Sequence, residues 1–164
     1  MWTWYRLKLN LIWYSMSTMT QFHFEPETRS RTQQLLDCIE HKDTEAVGAT
    51  LHPHVMLAHP LSLSGNRNDA ARWHGKDQVL SYFDGAFTMM GRIRFINRRV
   101  SVAHGGETAF VQADGDITTA DGRPYQNRYI FRIDWRGGRA IAIEEYANPL
   151  TFCQTFNNPL CRSA

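Results

Sequence analysis

The spacing of apolar residues along this chain changes once, near residue 92. Before that point they recur at helical intervals. Leu35, Leu36 and Ile39 share one helical face behind Ser30-Arg31-Thr32-Gln33, a capping-box pattern that predicts a helix start. Asp43 is placed to cap a second, short helix over 44–51, in which Val47 and Leu51 lie one turn apart. The apolar run Val55 to Ala58 predicts a strand, and the polar stretch Asn66 to Arg72 reads as a loop. Gly75-Lys76-Asp77 opens a third helix whose apolar face is Val79, Leu80, Phe83 and Phe87, and Gly91 closes it.

From Arg92 onward the period is that of strands. Turn signals at Gly105-Gly106, Asp121-Gly122 and Gly137-Gly138 divide segments near 92–103, 107–119, 125–134 and 139–147, the spacing of an antiparallel meander. Alternation puts Tyr125, Asn127, Tyr129, Phe131 and Ile133 on one face of the third segment, with Arg128 and Arg132 on the other. Helices gathered ahead of one sheet predict an α+β domain, with the helices packed on one concave face.

Composition narrows the picture without sharpening it. At 164 residues, 43% apolar and 21% charged, the chain has the make-up of one ordinary globular domain. A formal charge of +2 gives no field for nucleic acid or acidic lipid, and the cluster Arg92, Arg94, Arg98 and Arg99 reads as a solvated strand edge. The three cysteines form no CxxC pair and no complete disulfide set, which points to a reducing, cytoplasmic setting. His52-Pro53-His54 reads as loop sequence, and no metal site is expected. Residues 1–15 hold Trp2, Trp4 and Trp13, but Arg6 and Lys8 interrupt any run long enough for a signal peptide or membrane span. A start at Met16 or Met19 would explain this stretch equally well. Residues 1–20 are accordingly expected to stand outside the fold, with a domain over 28–156 and a tail over 157–164. Phosphate-binding glycine loops, a nucleophile elbow and a serine triad are absent.

One residue breaks the strand pattern. Ile141, Ile143, Glu145 and Ala147 share a face, so Glu145 is a carboxylate on an otherwise apolar surface. Burial there would raise its pKa and suit it to acid–base work. A one-residue bulge would instead send it to solvent beside Glu144.

The element order, together with Val55 to Pro60, Gly75-Lys76 and the passage from Gly122-Arg123-Pro124-Tyr125 to Glu145-Tyr146-Ala147-Asn148-Pro149, resembles the nuclear transport factor 2-like superfamily over residues 28–156. Its relatives include ketosteroid isomerase, SnoaL-like polyketide cyclases and phenazine-biosynthesis A/B-type proteins. The resemblance implies a cone-shaped α+β barrel, three N-terminal helices on a curved, mainly antiparallel sheet, paired as a homodimer through the sheet's outer face. It places His59, before Pro60, where ketosteroid isomerases keep their base, and Tyr129 near a strand position that supplies an oxyanion donor. Leu35 stands where those enzymes carry a helix-one tyrosine. Glu145 matches the functional glutamate of the phenazine-type proteins, whereas Tyr82 and Ala86 stand where they have histidine and serine.

Two function classes follow. One is a cofactor-free isomerase, cyclase or dehydratase acting next to a carbonyl of an apolar small molecule, with His59, Tyr129 and Glu145 catalytic. Trp73, Tyr82, Phe83, Tyr125 and Asn127 would then meet the substrate. The other is a non-catalytic module of the same fold that binds a small molecule or assembles with a partner.

Overall fold

The computed structural model describes residues 25–103 and 105–158. Expectations for residues 1–20 and for most of the tail therefore lie outside the described residues. Helix α1 covers 25–40, α2 Thr44–Thr50, α3 Lys76–Met89 and α4 Pro149–Phe156. The strands are β1 Leu51–His59, β2 Ala71–His74, β3 Phe95–Val102, β4 Thr108–Gly115, β5 Ile117–Thr118, β6 Pro124–Tyr125, β7 Arg128–Arg136 and β8 Arg139–Ala147. Six of them form a sheet in the order β2-β1-β8-β7-β4-β3, and β5 and β6 make a separate ribbon. This is the expected α+β cone architecture, with four helices on a mostly antiparallel sheet that stays open at its β2 and β3 edges.

The helix starts differ from the sequence reading in an instructive way. Ser30 lies inside α1, so its capping-box pattern caps nothing. Asp43 does cap α2, accepting from the Ala46 amide at 2.9 Å. The supposed loop around Asn66 to Arg72 instead holds a single 3-10 turn, Arg67–Asp69, and leads into the edge strand β2. An edge strand with one open side can be almost wholly polar, so β2 carried no apolar alternation to read. The fourth helix was also missed, although Asn148-Pro149 is a strong start signal. Asn148 accepts from the Leu150 amide at 3.0 Å, and proline occupies the first turn.

Leu35, Leu36, Val47, Leu57, Val79 and Val111, all essentially inaccessible, knit the helices to the sheet's concave face. The pairing that matters for the site joins β1 to β8 in parallel, with Leu57 opposite Ile143 and Ala58 opposite Glu144. His59 and Glu145 thus end up on neighbouring strands, one position farther along.

A single lysine ties α2's approach to the end of α3. Lys42 adopts a left-handed conformation (φ 55°), and its ammonium donates to the Phe87 carbonyl at 3.1 Å and to that of Met90. The last turn of α3 has no basic residue of its own, so Lys42 supplies the cation that its exposed carbonyls favour. Lys42→Met should destabilise the domain by about 1–2 kcal/mol in chemical denaturation, the lower part of the range for charge-assisted bonds because the side chain is half exposed. An unchanged midpoint would show that these bonds merely replace equally good ones to water.

The cysteine reading needs correction. Cys38 is a free thiol, but Cys153 in α4 is disulfide-bonded. A disulfide at Cys153 weighs against the reducing compartment to which the odd cysteine count pointed, although no complete disulfide set forms.

Candidate active site

Strand β8 decides where its carboxylates point. Register runs without a break from Ile133 opposite Ile143 to Tyr129 opposite Ala147, so no bulge reverses the alternation at 144 and 145. Glu144 faces outward, 3.4 Å from Arg132 and accepting from the Tyr146 hydroxyl at 2.9 Å. Glu145 faces inward with Ile143 and lines an apolar cavity of about 70 Å3.

Three groups converge at that carboxylate. His59 Nε2 lies 3.0 Å from the Tyr82 hydroxyl and 3.5 Å from Glu145 Oε2, and the Tyr82 hydroxyl donates to the same oxygen at 3.3 Å. The imidazole packs edge-on against both Trp73 and Tyr82, each ring centre 5.1 Å away, and those two rings lie against each other at 4.5 Å, so the three form a triangle. Burial, and then the negative charge of Glu145, push the Tyr82 phenol well above its ordinary range. It therefore serves as a hydrogen-bond donor at any working pH.

Tyr129 enters from β7. Its ring stacks on Phe131 at 5.6 Å and meets the edge of Phe95 at 5.3 Å, leaving the residue 4% exposed. Burial raises its pKa strongly, and the neighbouring Tyr125 and Glu145 add to the rise. Tyr125 is also pushed up by burial, although hydrogen bonds from Asn127 and Tyr129 partly offset this. Phe156, 5.4 Å from the Tyr125 ring, brings α4 over this end of the site.

Asn127, which the sequence reading sends to the substrate, works as a clamp. Its Oδ1 accepts from the amides of Arg128 (2.9 Å) and Asn148 (3.0 Å), while Nδ2 donates to the Asn148 carbonyl (3.0 Å) and the Tyr125 hydroxyl (3.3 Å). Both ends of the amide are committed to holding β7 against the start of α4. Asn127→Leu should lower the melting temperature by several degrees, as the loss of buried hydrogen bonds at a cost of about 1–3 kcal/mol predicts. Retention of the wild-type melting temperature would exclude the clamp.

Of the other expected residues, Tyr82, Phe83, Tyr129 and Glu145 line the cavity, while Trp73 and Tyr125 stand behind them. The bridging role of Tyr82 escaped the sequence reading, which centred the α3 face on Val79, Phe83 and Phe87. Tyr82, Ala86 and Met90 form the adjoining stripe at four-residue spacing, and that stripe turns to the cavity as well. The farther wall is aliphatic, with Leu35, Ile39 and Ile133 among its residues. Leu35 offers no donor there. Asp114 and Asp116 lie outside the site, paired with Arg128 and Arg92 at 3.3 and 2.6 Å.

The buried phenols also set an alkaline limit. Folded pKa values above the unfolded value of 10.0 mean that the native state keeps its protons longer. Their contribution to stability is complete below pH 10 and is lost as pH rises beyond it. Melting temperatures measured from pH 9 to 11.5 should fall more steeply for the wild type than for Tyr129→Phe. Parallel curves would contradict this.

Residues 32–143 match the profile of the SnoaL-like domain, and the chain belongs to that family. Its fold is shared with a phenazine biosynthesis-related protein from Pseudomonas aeruginosa (12% identity, TM-score 0.71, 84% of this chain and 85% of that one). A Xanthomonas campestris protein assigned as a polyketide cyclase is similar too (15%, 0.67, 80% and 98%), as is TerC, co-crystallised with polyporic acid (16%, 0.67, 80% and 99%). No curated protein matches the chain in sequence. Among the described residues, no helix is long and apolar enough to cross a membrane.

Proposed function

We propose that this domain carries out cofactor-free acid–base chemistry next to a carbonyl, isomerising, cyclising or dehydrating an apolar small molecule in the cavity headed by Glu145. The observation that supports it is the meeting of an imidazole, a phenol and a carboxylate within 3.0–3.5 Å, where the Tyr82 phenol and the Glu145 carboxylate line an otherwise apolar cavity and His59 stands against them. His59 takes the proton from the carbon beside the carbonyl. The carbonyl oxygen, gaining charge as the enolate forms, accepts a hydrogen bond from Tyr129. The proton passes from His59 to the Glu145 carboxylate, which returns it at the second position, and Tyr82 holds Glu145 and His59 in register. Sequestration from water would strengthen each of these interactions.

A minimal test needs no knowledge of the natural substrate. Incubated in D2O with 2-tetralone, a compact apolar ketone, the protein should accelerate deuterium uptake beside the carbonyl, and His59→Ala should abolish the acceleration. If the wild type exchanges no faster than buffer, the binding-module reading replaces this one. That second reading draws on the cavity itself, which at about 70 Å3 is well below the ~300 Å3 or more of most ligand sites. A substrate of that size has to displace the half-exposed Phe87 and Met90.

The reading includes a homodimer. Phe110 and Ile130, 41% and 49% exposed, lie on the convex face of the sheet among Gln112, Arg132 and Tyr146. A second copy pairing on this face would bury them. Sedimentation at micromolar concentration should give a dimer that Ile130→Arg converts to monomer; a wild-type monomer would exclude the pairing.

A further inference from the structure

Resting on the functional reading above, we infer that the site selects an uncharged ligand with a hydrogen-bond donor at its polar end, and that Glu145 excludes carboxylates. The argument begins with the unequal use of the two oxygens of Glu145. Oε2 takes the Tyr82 proton and faces His59, whereas Oε1 accepts no hydrogen bond from any described residue. The free oxygen belongs to a side chain that lines the cavity, so a ligand donor can meet it there.

The balance of charge along the wall points the same way. No lysine or arginine is among the described residues that line the cavity, and Glu145 is the one acid. The nearest guanidinium on the neighbouring strand, Arg132, is engaged on the opposite face with Glu144 and Asp134. A ligand carboxylate entering here would lie against a second carboxylate with no counter-cation but His59, which Glu145 already faces. Two such groups cannot both stay ionised at close range without cost.

The remaining polar groups fit a neutral head. The Tyr82 and Tyr129 phenols line the same cavity, and both stay protonated because burial and Glu145 raise their pKa values. The Tyr82 proton is already given to Oε2 and that of Tyr129 to Tyr125, so the position open to a ligand is Oε1, which serves an N–H or O–H as acceptor. Beyond them the wall is aliphatic and aromatic and offers a ligand's body only apolar contact. An amide or an alcohol on an apolar body supplies that donor without a charge. An acid leaves Oε1 facing another anion.

Benzamide and benzoate test this, since they differ in charge and in the donor but hardly in shape. Binding is followed at pH 8, where a free imidazole is uncharged, by titrating each into isotopically labelled protein and reading the methyl signals of Met90 and Ile143. The wild type should bind benzamide at least tenfold more tightly than benzoate. In Glu145→Gln, whose amide can donate to a carboxylate, the ratio should collapse to within about threefold. Equal affinity of the wild type for both, binding of neither, or an unchanged ratio in Glu145→Gln would overturn the inference. The outcome is separable from that of the exchange assay. A protein that selects benzamide but exchanges no deuterium keeps the charge selection and loses the catalysis, and the converse result does the reverse.

Discussion

Glutamine in place of glutamate at position 145 should leave the fold intact and slow turnover on the order of a hundredfold or more, the range that positioned acid–base groups usually supply. The amide has the size of the carboxyl and keeps an oxygen to accept from Tyr82, now 3.3 Å away. It can neither give nor take a proton at neutral pH. The loss should therefore fall on kcat, with KM little changed. His59→Ala should cost a similar factor and remove the acidic limb of the pH profile, because the imidazole is the group that must be free to take a proton. Tyr82→Phe offers a graded control. The aromatic ring stays, the bridge between Nε2 and Oε2 goes, and a smaller loss is expected because neither proton-transferring group is removed. Melting temperatures taken alongside separate lost chemistry from lost fold. Turnover at the wild-type rate in both Glu145→Gln and His59→Ala would rule out the acid–base reading.

The second large effect is expected far from any polar group. A Cβ built on Gly115 would lie 2.6 Å from Cε2 of Tyr129, with the Asn127 carbonyl and Ile117 Cδ1 each at 3.3 Å. Contacts under 3.0 Å do not survive between real atoms, so something must move. Tyr129 cannot slide freely, because Phe131 and Phe95 hold its ring on two sides. Gly115→Ala should thus cost about 1–3 kcal/mol of stability, as overpacking of a filled core does. It should also lower turnover by displacing the Tyr129 hydroxyl. A double-mutant cycle assigns the cause. In a Tyr129→Leu background, where the ring is gone, the same alanine should cost little. An equal cost in both backgrounds would mean that the strain lies in the backbone of β4 and not against Tyr129.

These two residues illustrate how differently the parts of the site could be read. Glu145 was legible because a strand has a strict two-residue period. One acid among Ile141, Ile143 and Ala147 is conspicuous in any arrangement that preserves that period. Alternation could not exclude a bulge, since a single inserted residue leaves the same composition on the page. The unbroken pairing of β7 with β8 is what excludes it. Tyr82 was less legible. A helix face about 100° wide admits two neighbouring stripes, and Tyr82 lies on the one that a count of apolar residues ranks second.

The local elements followed the chain wherever a nearby side chain or turn residue sets the backbone. Asp43 begins α2, and Gly75, with its φ of 81°, leads into α3. The glycine pairs at 105–106 and 137–138 take the positive φ angles that strand reversals need. The same logic failed for β2, an edge strand with too little buried surface to impose a pattern, and for Ser30, where capping geometry was available but the helix had already begun.

By itself, then, the sequence determined the α+β class, the meander and which residues alternate together along β8, because these follow from periods of 2 and 3.6 residues and from turn chemistry that acts over a few positions. It could not determine that His59 and Glu145 would meet, 86 positions apart along the chain. That contact exists because β1 crosses to lie parallel to β8 in one particular register. Nor could it show that Asn127 is spent on α4, or that Tyr129 needs a glycine beneath it. Each of these is a relation between distant segments, decided when the whole core packs, and no local period records it.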